Sequence, residues 1–410
     1  MPSLSDKLKS LGVKVGTSEI QPKATGKTRP PLEELLGGRW ISTRRGEAFV
    51  VEQIYSTDYR HGAVPIQIDA QLATLAAWAR DERISGLELS QFAFLDTETS
   101  GLSGGTGTYA FMVGVGRFMD GEFHLSIFFM QDPADEPALL EALADFLAPC
   151  ASLVTFNGKA FDAPLLRTRY ALNSIPCPFD GFSHIDLLPL ARRLWRDRLP
   201  SRALKYLEEH IMSAPRTSEE VPGYEIPWLY FDFLRTGDAT PLKGVFYHNS
   251  MDVVAMAALL NLMAKMLSDP HGSDLEHGLD VIALARLFED LNRWDDAALL
   301  YERGLKTILP EADFGRAIQR LSTLQRRRGD LVTAVSLWEQ AAAEGHIFAH
   351  VELAKYYEHT RRDPFTALEW TQGAIRHIEN ADLPPYIRKH WMEELERRLS
   401  RLQTKVGKST

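Results

Sequence analysis

The sequence predicts an α/β fold, in which helices cover a mixed sheet, followed by an all-α domain of helical repeats. Three observations support this prediction. Three short β-rich runs follow one another between residues 91 and 130, and Asp120-Gly121 is a hairpin signal between the last two. Strand and helix patterns then alternate up to residue 268, as in mixed α/β folds. Beyond Pro270 the strong patterns are helical.

The composition bounds the class of protein. The chain has 410 residues, enough for two or three domains with sizeable cores. Cys150 and Cys177 have neither metal-ligand spacing nor the pattern of a disulfide framework, so we expect a reducing, cytoplasmic location. No apolar run predicts a membrane span, so we expect no membrane partner. The net charge of −9 argues against non-specific wrapping of nucleic acid, although it is compatible with a local basic track.

The first 90 residues contain no group of chemically active side chains. Residues 1–31 are rich in Lys, Ser, Thr, Gly and Pro and lack periodicity, which predicts a disordered basic tail. Residues 32–90 predict a small accessory segment with a strand at 48–56 and an amphipathic helix at 70–79.

The main α/β domain is predicted over residues 91–268. After the three β-rich runs, the patterns predict a strand at 152–156 and helices at 136–148, 162–172, 186–196 and 252–267. The last helix is apolar almost all round, which indicates that it is buried. Asp186 opens the helix at 186–196, and we expect it to cap that helix.

Residues 275–410 contain a weak repeat. Three alanines align at spacings of 37 and 33 residues, and each is preceded ten residues earlier by a large side chain. The alanines are Ala297, Ala334 and Ala367, and the large residues are Leu287, Leu324 and Tyr357. This pattern predicts helix-turn-helix repeats of tetratricopeptide type, with an ordinary helical bundle as the alternative.

Two carboxylates lie on the strand that opens the main domain. Asp96 and Glu98 are two residues apart, so their side chains point to the same face of the sheet. Two acids beside an apolar core repel each other and lose hydration, unless a cation neutralises them. Carboxylate oxygens are the ligands that Mg²⁺ prefers, so the pair predicts a metal site. The alternative is that the acids extend from the end of the strand into water.

A third acid follows the turn at Asn157-Gly158. Asp162 begins the next helix, and its alternative role is that of a helix cap. Lys159 and Phe161 lie in the same turn, where a cation could hold a phosphate and an aromatic ring could stack on a base.

A fourth acid shares a helix with a histidine. His248 and Asp252 are four residues apart, so their Cβ atoms should lie about 5–6 Å from each other on one face. Tyr247 is rotated about 100° away by the helix geometry. A histidine beside an acid is the arrangement of a general base with a metal ligand. The alternative is that Asp252 caps its helix and His248 is half-exposed.

In combination, these motifs resemble the three exonuclease motifs of the DEDD superfamily of ribonuclease H-like proteins. The chain is most similar to the bacterial YprB-type ribonuclease H-like family, which also carries a tetratricopeptide-like helical tail. The stretches that carry the resemblance are residues 96–116, 156–166, 184–211, 221–234 and 248–254.

The resemblance implies a ribonuclease H-like exonuclease domain over residues 91–268. It implies that two Mg²⁺ or Mn²⁺ ions are bound by Asp96, Glu98, Asp162 and Asp252, and that His248 acts as the base. The implied activity is 3′–5′ exonucleolytic cleavage of DNA or RNA, most readily at a single-stranded end. The chain departs from the superfamily pattern at the base. His248 lies four residues before Asp252, which is the spacing of the tyrosine branch. Tyr247 lies five residues before Asp252, which is the spacing of the histidine branch. A non-catalytic nucleic-acid or protein adaptor that uses the helical repeats, and a structure-specific endonuclease, remain the alternatives.

Further residues are expected to contact the substrate. These are Thr97, Thr99, Asn157, Lys159, Phe161, Arg192 and Arg193. The last two belong to a stretch between residues 192 and 205 that holds six cations and one acid, a net charge of +5. Such a run predicts either a phosphate track or a solvated helix face. The glycine-rich loop at 100–108 could let the substrate backbone come close.

Overall fold

The computed structural model describes residues 30–101, 107–272 and 275–407. Nearly all of the predicted disordered tail, and the centre of the glycine-rich loop at 102–106, lie outside these residues. Contacts between Cα atoms divide the chain into two compact units. Among the described residues, the first unit contains those up to Ala70 together with Asp81–Leu188 and Ala203–Met263, and the second contains Gln71–Arg80, Pro189–Arg202 and those from Ala264 onward.

The first unit is built on a seven-stranded mixed sheet. Its strands are β1 (Arg39–Thr43), β2 (Gly46–Tyr55), β5 (Phe92–Thr99), β6 (Ala110–Met119), β7 (Glu122–Phe129), β8 (Ser152–Thr155) and β9 (Ser183–Asp186). Their order across the sheet is β1-β2-β7-β6-β5-β8-β9, and a separate pair is formed by β3 (Arg60–His61) and β4 (Val64–Pro65). The antiparallel β5-β6-β7 meander follows the predicted one, and β8 and β9 continue the sheet in parallel. The predicted α/β mixed sheet is therefore confirmed.

The predicted accessory segment contributes two strands to this sheet. Strand β2 pairs with β7 along its length, from Phe49 opposite Phe129 to Tyr55 opposite Phe123, and β1 forms the edge. Residues 48–51 are buried, and the helix at Glu136–Leu147 packs against β2. The paired residues lie 68 to 80 positions apart in the sequence, from Tyr55 and Phe123 to Phe49 and Phe129, so a local pattern could not reveal the pairing.

Helices of the first unit cover the sheet. They are α1 (Leu32–Leu36), α3 (Glu136–Leu147), α4 (Asp162–Leu172), α6 (Leu204–His210), α7 (Ile226–Thr236) and most of α8 (Leu242–Ser268). Helix α8 begins ten residues before Asp252, which corrects the prediction that His248 and Asp252 open it. By length and composition α8 could cross a membrane, but 78% of its most apolar window is buried inside the protein, as in a core helix.

Two glycines of β6 allow α8 to lie directly on the sheet. A Cβ atom at Gly114 would lie 2.0 Å from Asn249 Oδ1, and one at Gly116 would lie 2.9 Å from Val253 Cγ1. Any larger residue at Gly114 would overlap the helix side chain. This close approach brings the middle of α8 next to β5, which pairs with β6.

The second unit is helical. It contains α2 (Ala73–Ala79), most of α5 (Leu187–Trp195), α9 (Gly278–Asp290), α10 (Trp294–Leu305), α11 (Glu311–Arg327), α12 (Leu331–Ala343), α13 (Ile347–Tyr356), α14 (Pro364–Asn380) and α15 (Pro385–Val406). The aligned alanines are fully buried, and each is the fourth residue of its helix: Ala297 in α10, Ala334 in α12 and Ala367 in α14. The helical character of residues 275–407 is confirmed, whereas the tetratricopeptide assignment stays a prediction.

Candidate active site

The first two candidate acids lie on a strand well inside the sheet. Strand β5 lies between β6 and β8, and its first four residues are buried on both faces. Asp96 is opposite Gly114 and Glu98 is opposite Met112 on β6. Because Gly114 has no side chain, Asn249 of α8 reaches Asp96 and donates a hydrogen bond from Nδ2 to Oδ2 at 2.9 Å. The acids therefore face α8, and they do not extend into water.

Asp162 is brought to the same region by the turn that follows β8. Asn157 has a left-handed backbone with φ of 71°, and the Asp186 carboxylate accepts hydrogen bonds from the backbone N–H groups of Asn157 and Lys159 at 2.8 and 3.2 Å. The cap position of α4 is Phe161, and the Asp162 carboxylate instead accepts a hydrogen bond from the Thr97 hydroxyl. Since Thr97 lies between Asp96 and Glu98 on β5, this bond ties Asp162 to the strand that carries both acids.

His248 and Asp252 lie on the face of α8 that meets these acids. His248 Nε2 is 3.5 Å from Asp252 Oδ2 and 4.0 Å from Glu98 Oε1. The hydroxyl of Tyr247 accepts a hydrogen bond from the backbone N–H of Thr217 at 3.0 Å, so this side chain is directed elsewhere. The geometry thus favours His248 over Tyr247 as the candidate base, and its catalytic role stays a prediction.

The sequence patterns did not indicate three further charged residues of this region. Glu220 lies 3.0 Å from His248 Nδ1. Arg216 donates hydrogen bonds to Asp252, Glu208 and Glu220. Arg216 and Glu220 lie in the connection between α6 and α7, where no periodicity marks them. Only the charge of the connection hinted at ion pairs, and a single sequence does not show which charges meet.

Burial raises the pKa values of Asp96, Glu98 and Asp162, and neighbouring acids contribute. Burial raises the pKa of Asp96 well above its usual range, and the charges of Asp252, Glu98 and Asp162 raise it further. Burial also raises the pKa of Glu98 to about 8, against the opposing effect of His248. The pKa of Asp162 is raised mainly by burial, although the Thr97 hydrogen bond opposes the shift. Four carboxyl groups from three distant segments are therefore close enough to interact electrostatically.

The groups around His248 shift in a complementary way. Burial lowers the pKa of His248, but the hydrogen bond to Glu220 and the charges of Asp252 and Glu98 outweigh burial and raise it to about 9. Burial acts to raise the pKa of Glu220, but the bond to His248 and the charge of Arg216 lower it to about 2. His248 and Glu220 therefore form an imidazolium–carboxylate pair at neutral pH.

The donor set fits a hard divalent cation. Carboxylate oxygens that repel each other in a buried place are what Mg²⁺ or Mn²⁺ would neutralise. Within residues 30–101, 107–272 and 275–407, however, no group of three or more His, Cys, Asp or Glu side chains is arranged to hold a metal ion. Three of the acids accept a hydrogen bond on one carboxylate oxygen: Asp252 from Arg216, Asp96 from Asn249 and Asp162 from Thr97.

The predicted substrate contacts are placed in different ways. Lys159 and Phe161 are exposed beside Asp162, and Phe161 retains 59% of its accessible surface. The Thr99 hydroxyl donates to the carbonyl of Gly101 at 2.8 Å. Arg192 is exposed, whereas Arg193 bonds to Asp290 within the second unit. Roles of these residues in substrate binding stay predictions.

Two residues near the turn have structural partners. Asp186 accepts from the backbone N–H of Leu188 at 3.1 Å, which agrees with the expected cap of α5. His184 Nε2 lies 2.9 Å from the Thr155 hydroxyl, and burial lowers the pKa of His184 to about 4. Both therefore hold β8, β9 and the following turn together.

Comparisons with known proteins agree with this fold. A family model described as RNase_H superfamily matches residues 93–264. Uncharacterized protein YprB of Bacillus subtilis (strain 168) is 32% identical over 330 residues, which cover 78% of each chain. A solved structure, the family B DNA polymerase from the hyperthermophilic archaeon Pyrobaculum calidifontis, is 18% identical over 52% of this chain and 29% of that one, and its TM-score of 0.34 is too low to support an argument.

Membership of the superfamily indicates a nuclease that acts on nucleic acid, and the matched residues include every candidate acid. The similarity to YprB extends beyond the matched domain to more than two thirds of both chains. The chain therefore belongs to the YprB family within the RNase H superfamily.

Proposed function

We propose that this protein is a metal-dependent exonuclease that removes nucleotides from a single-stranded 3′ end of DNA or RNA. The observation that carries the proposal is the convergence of four acids from three segments. Asn249 of α8 bonds to Asp96, Thr97 of β5 bonds to Asp162, and His248 Nε2 lies 4.0 Å from Glu98 and 3.5 Å from Asp252. Burial and the charges of Asp252, Glu98 and Asp162 raise the pKa of Asp96 accordingly. Buried acids that destabilise one another are costly for a fold, and such perturbed groups are concentrated at functional sites. RNase H superfamily membership adds the nucleic acid substrate class.

The four acids would hold two Mg²⁺ or Mn²⁺ ions, which would supply an activated water and would neutralise charge on the phosphoryl group. The chain itself provides the rest of the arrangement. Asn249 and Thr97 fix the carboxylates of Asp96 and Asp162 by hydrogen bonds, so that their oxygens keep a defined orientation. Rigid carboxylates need no rearrangement during the reaction, which lowers its barrier.

His248 would accept the proton of the attacking water through Nε2. Its Nδ1 is occupied by Glu220 at 3.0 Å, so Nε2 is the nitrogen that faces Glu98 and Asp252. The charges of Asp252 and Glu98 help to raise the pKa of His248, so cations that neutralise these acids would lower it again. The ring would then be neutral and would accept a proton on the side of the acids. The products would be a nucleotide with a 5′-phosphate and a shortened strand.

Exposed residues beside the acids would hold the strand. Lys159 would contact a phosphate, and Phe161 would stack on a base.

We also propose that the helical residues 275–407 bind a protein partner and that the protein acts in the cytoplasm.

The experiment is a degradation panel with end-labelled single- and double-stranded DNA and RNA, each with a free or a blocked 3′ end, in Mg²⁺ or Mn²⁺. A ladder that shortens stepwise from free 3′ ends, and that stops at blocked ends, is the expected result. Cleavage of strands with blocked ends would identify an endonuclease. Binding without any cleavage, also with Mn²⁺, would identify a non-catalytic adaptor and would overturn the proposal.

A further inference from the structure

A single arginine lies at the centre of the charged groups beside the candidate site. The Arg216 side chain is only 2% exposed, and it lies in the connection between α6 and α7. Its Nη2 and Nε donate to Glu208 Oε2 at 2.5 and 2.8 Å, and Glu208 itself is fully buried. Its Nη1 donates to both carboxylate oxygens of Glu220 at 3.0 and 3.2 Å.

The same guanidinium reaches the candidate metal ligand of α8. Nη2 donates to Oδ1 of Asp252, and Nη1 lies 3.4 Å from His248 Nδ1. Glu220 contacts both Arg216 and His248, since its Oε1 lies 3.0 Å from Arg216 Nη1 and 3.0 Å from His248 Nδ1. Arg216 is therefore bonded directly to the last acid and indirectly to the candidate base.

Arg216 is also held by Glu208, which is not one of the candidate acids. Glu208 lies on α6 and accepts a second contact from His61 Nε2 at 2.9 Å. Because Glu208 and Glu220 hold Arg216 from two directions, its guanidinium has one orientation. Only a planar, multidentate cation can bond three carboxylates in this way, and lysine, a compact point charge, cannot replace this geometry.

We propose that Arg216 is a positioning residue, which sets the Asp252 carboxylate for metal binding and, through Glu220, aligns the ring of His248. The proposal rests on the proposed function, because it assigns the metal to Asp252. Replacing a residue that orients a metal ligand reduces metal affinity or activity by about 10–100-fold. Arg216→Lys keeps the positive charge. If this variant also loses metal affinity, the loss comes from the geometry of the guanidinium and not from its charge.

The test measures Mn²⁺ binding to the full chain by isothermal titration calorimetry, without nucleic acid. Arg216→Lys should weaken Mn²⁺ binding by about 10-fold or more, although the positive charge is kept. Glu208→Gln weakens one of the ion pairs that hold Arg216 and leaves Asp252 unchanged. It should therefore weaken Mn²⁺ binding to a smaller extent. If Arg216→Lys does not fold, the Mn²⁺ affinity of Glu208→Gln tests the proposal in its place.

Arg169→Lys is the matched control. Arg169 makes a comparable bidentate pair, with 2.6 Å from both Nε and Nη2 to the two oxygens of Glu136, which is none of the candidate acids. This control should lose stability but bind Mn²⁺ like the wild type. Unchanged or tighter Mn²⁺ binding by the folded Arg216→Lys or Glu208→Gln variants, or an equal loss in Arg169→Lys, would overturn the inference.

The titration separates this inference from the proposed function. Wild-type protein that binds Mn²⁺ but cleaves no strand in the degradation panel overturns the proposed nuclease, while the Arg216→Lys comparison still decides the positioning role. Wild-type protein that binds no Mn²⁺ overturns both.

Discussion

Two buried glutamates, one in each unit, show opposite electrostatics. Glu98, in the sheet unit, is surrounded by other acids, and burial together with Asp252 and Asp162 raises its pKa to about 8. Glu358, in the helical unit, is bonded to Arg398, Arg401 and Lys405 at 2.7–3.0 Å. Burial acts to raise the pKa of Glu358, but these cations lower it to about 2.

The difference separates a structural acid from a candidate metal ligand. Around Glu358 cations outnumber the acid, so these charges hold the turn at Tyr357–Arg361 to α15 and need no ligand to neutralise them. Around Glu98 the acids have too few cations, and the fold is destabilised at this place unless something else binds. Burial alone therefore does not mark a site, whereas burial of like charges does.

The largest expected effect is on catalysis. Asp96→Asn keeps the shape of the side chain and one acceptor oxygen for Asn249 but removes the charge, so metal-dependent cleavage should fall to the uncatalysed background. Cleavage is measured with the preferred substrate of the degradation panel. Glu358→Gln is the control in the other unit, and it should cleave at the wild-type rate. Equal rates for Asp96→Asn and wild type would remove Asp96 from the site.

The candidate base should have the next largest effect. His248→Ala should reduce the cleavage rate on the order of 10²–10⁴-fold, as expected for the loss of a general base. Tyr247→Phe is the matched control, because its hydroxyl bonds only to the backbone N–H of Thr217 among its described partners. A larger loss in Tyr247→Phe than in His248→Ala would transfer the role to the tyrosine.

The structural glutamate should show the reverse pattern. Glu358→Gln should lower the free energy of unfolding by at most about 3 kcal/mol, the lower end for breaking a buried pair, since Arg401 and Lys405 are half-exposed. Urea denaturation measures this change. Glu98→Gln, in contrast, should stabilise the protein in EDTA. Destabilisation by Glu98→Gln in EDTA would contradict the comparison.

The smallest expected effect is the pH dependence of stability in EDTA. Between its ordinary pKa of 4.5 and its folded value of about 8, Glu98 keeps a proton that the unfolded chain releases, so rising pH favours unfolding. His248 acts in the same direction between 6.5 and about 9. The free energy of unfolding should therefore fall by on the order of 1–3 kcal/mol from pH 5 to 9.

Divalent cations and a variant serve as controls for this pH dependence. Mg²⁺ should restore stability most at the alkaline end, where the acids are charged. Glu98→Gln should flatten the curve measured by thermal unfolding in EDTA. A wild-type stability that rises over this range would show that the buried acids are compensated in some other way.

Local patterns predicted the elements better than their long-range relations. Alternation and turn signals gave the meander and the helix at Glu136–Leu147, because these depend on neighbouring residues. The start of α8 at Leu242 was missed, since the apolar run begins later than the helix itself. The pairing of β2 with β7 was also missed, because a strand pattern does not name its partner.

The candidate site shows the same limit. Asp96, Glu98, Asp162, His248 and Asp252 could be selected because each lies in a local motif with a recognisable spacing. Arg216 could not, since its importance comes from three carboxylates, of which Glu208 and Asp252 lie on other elements. An ion network of this kind is a property of the folded chain, and composition along the sequence does not specify it.

The missing side chain at Gly114 of β6 sets the distance between Asp96 and helix α8. Because the helix rests where a side chain is missing, one additional methyl group would widen the gap between Asp96 and α8, and Asn249 and Asp252 would retreat together. The distance between the acids on β5 and those on α8 therefore depends on a residue that has no side chain.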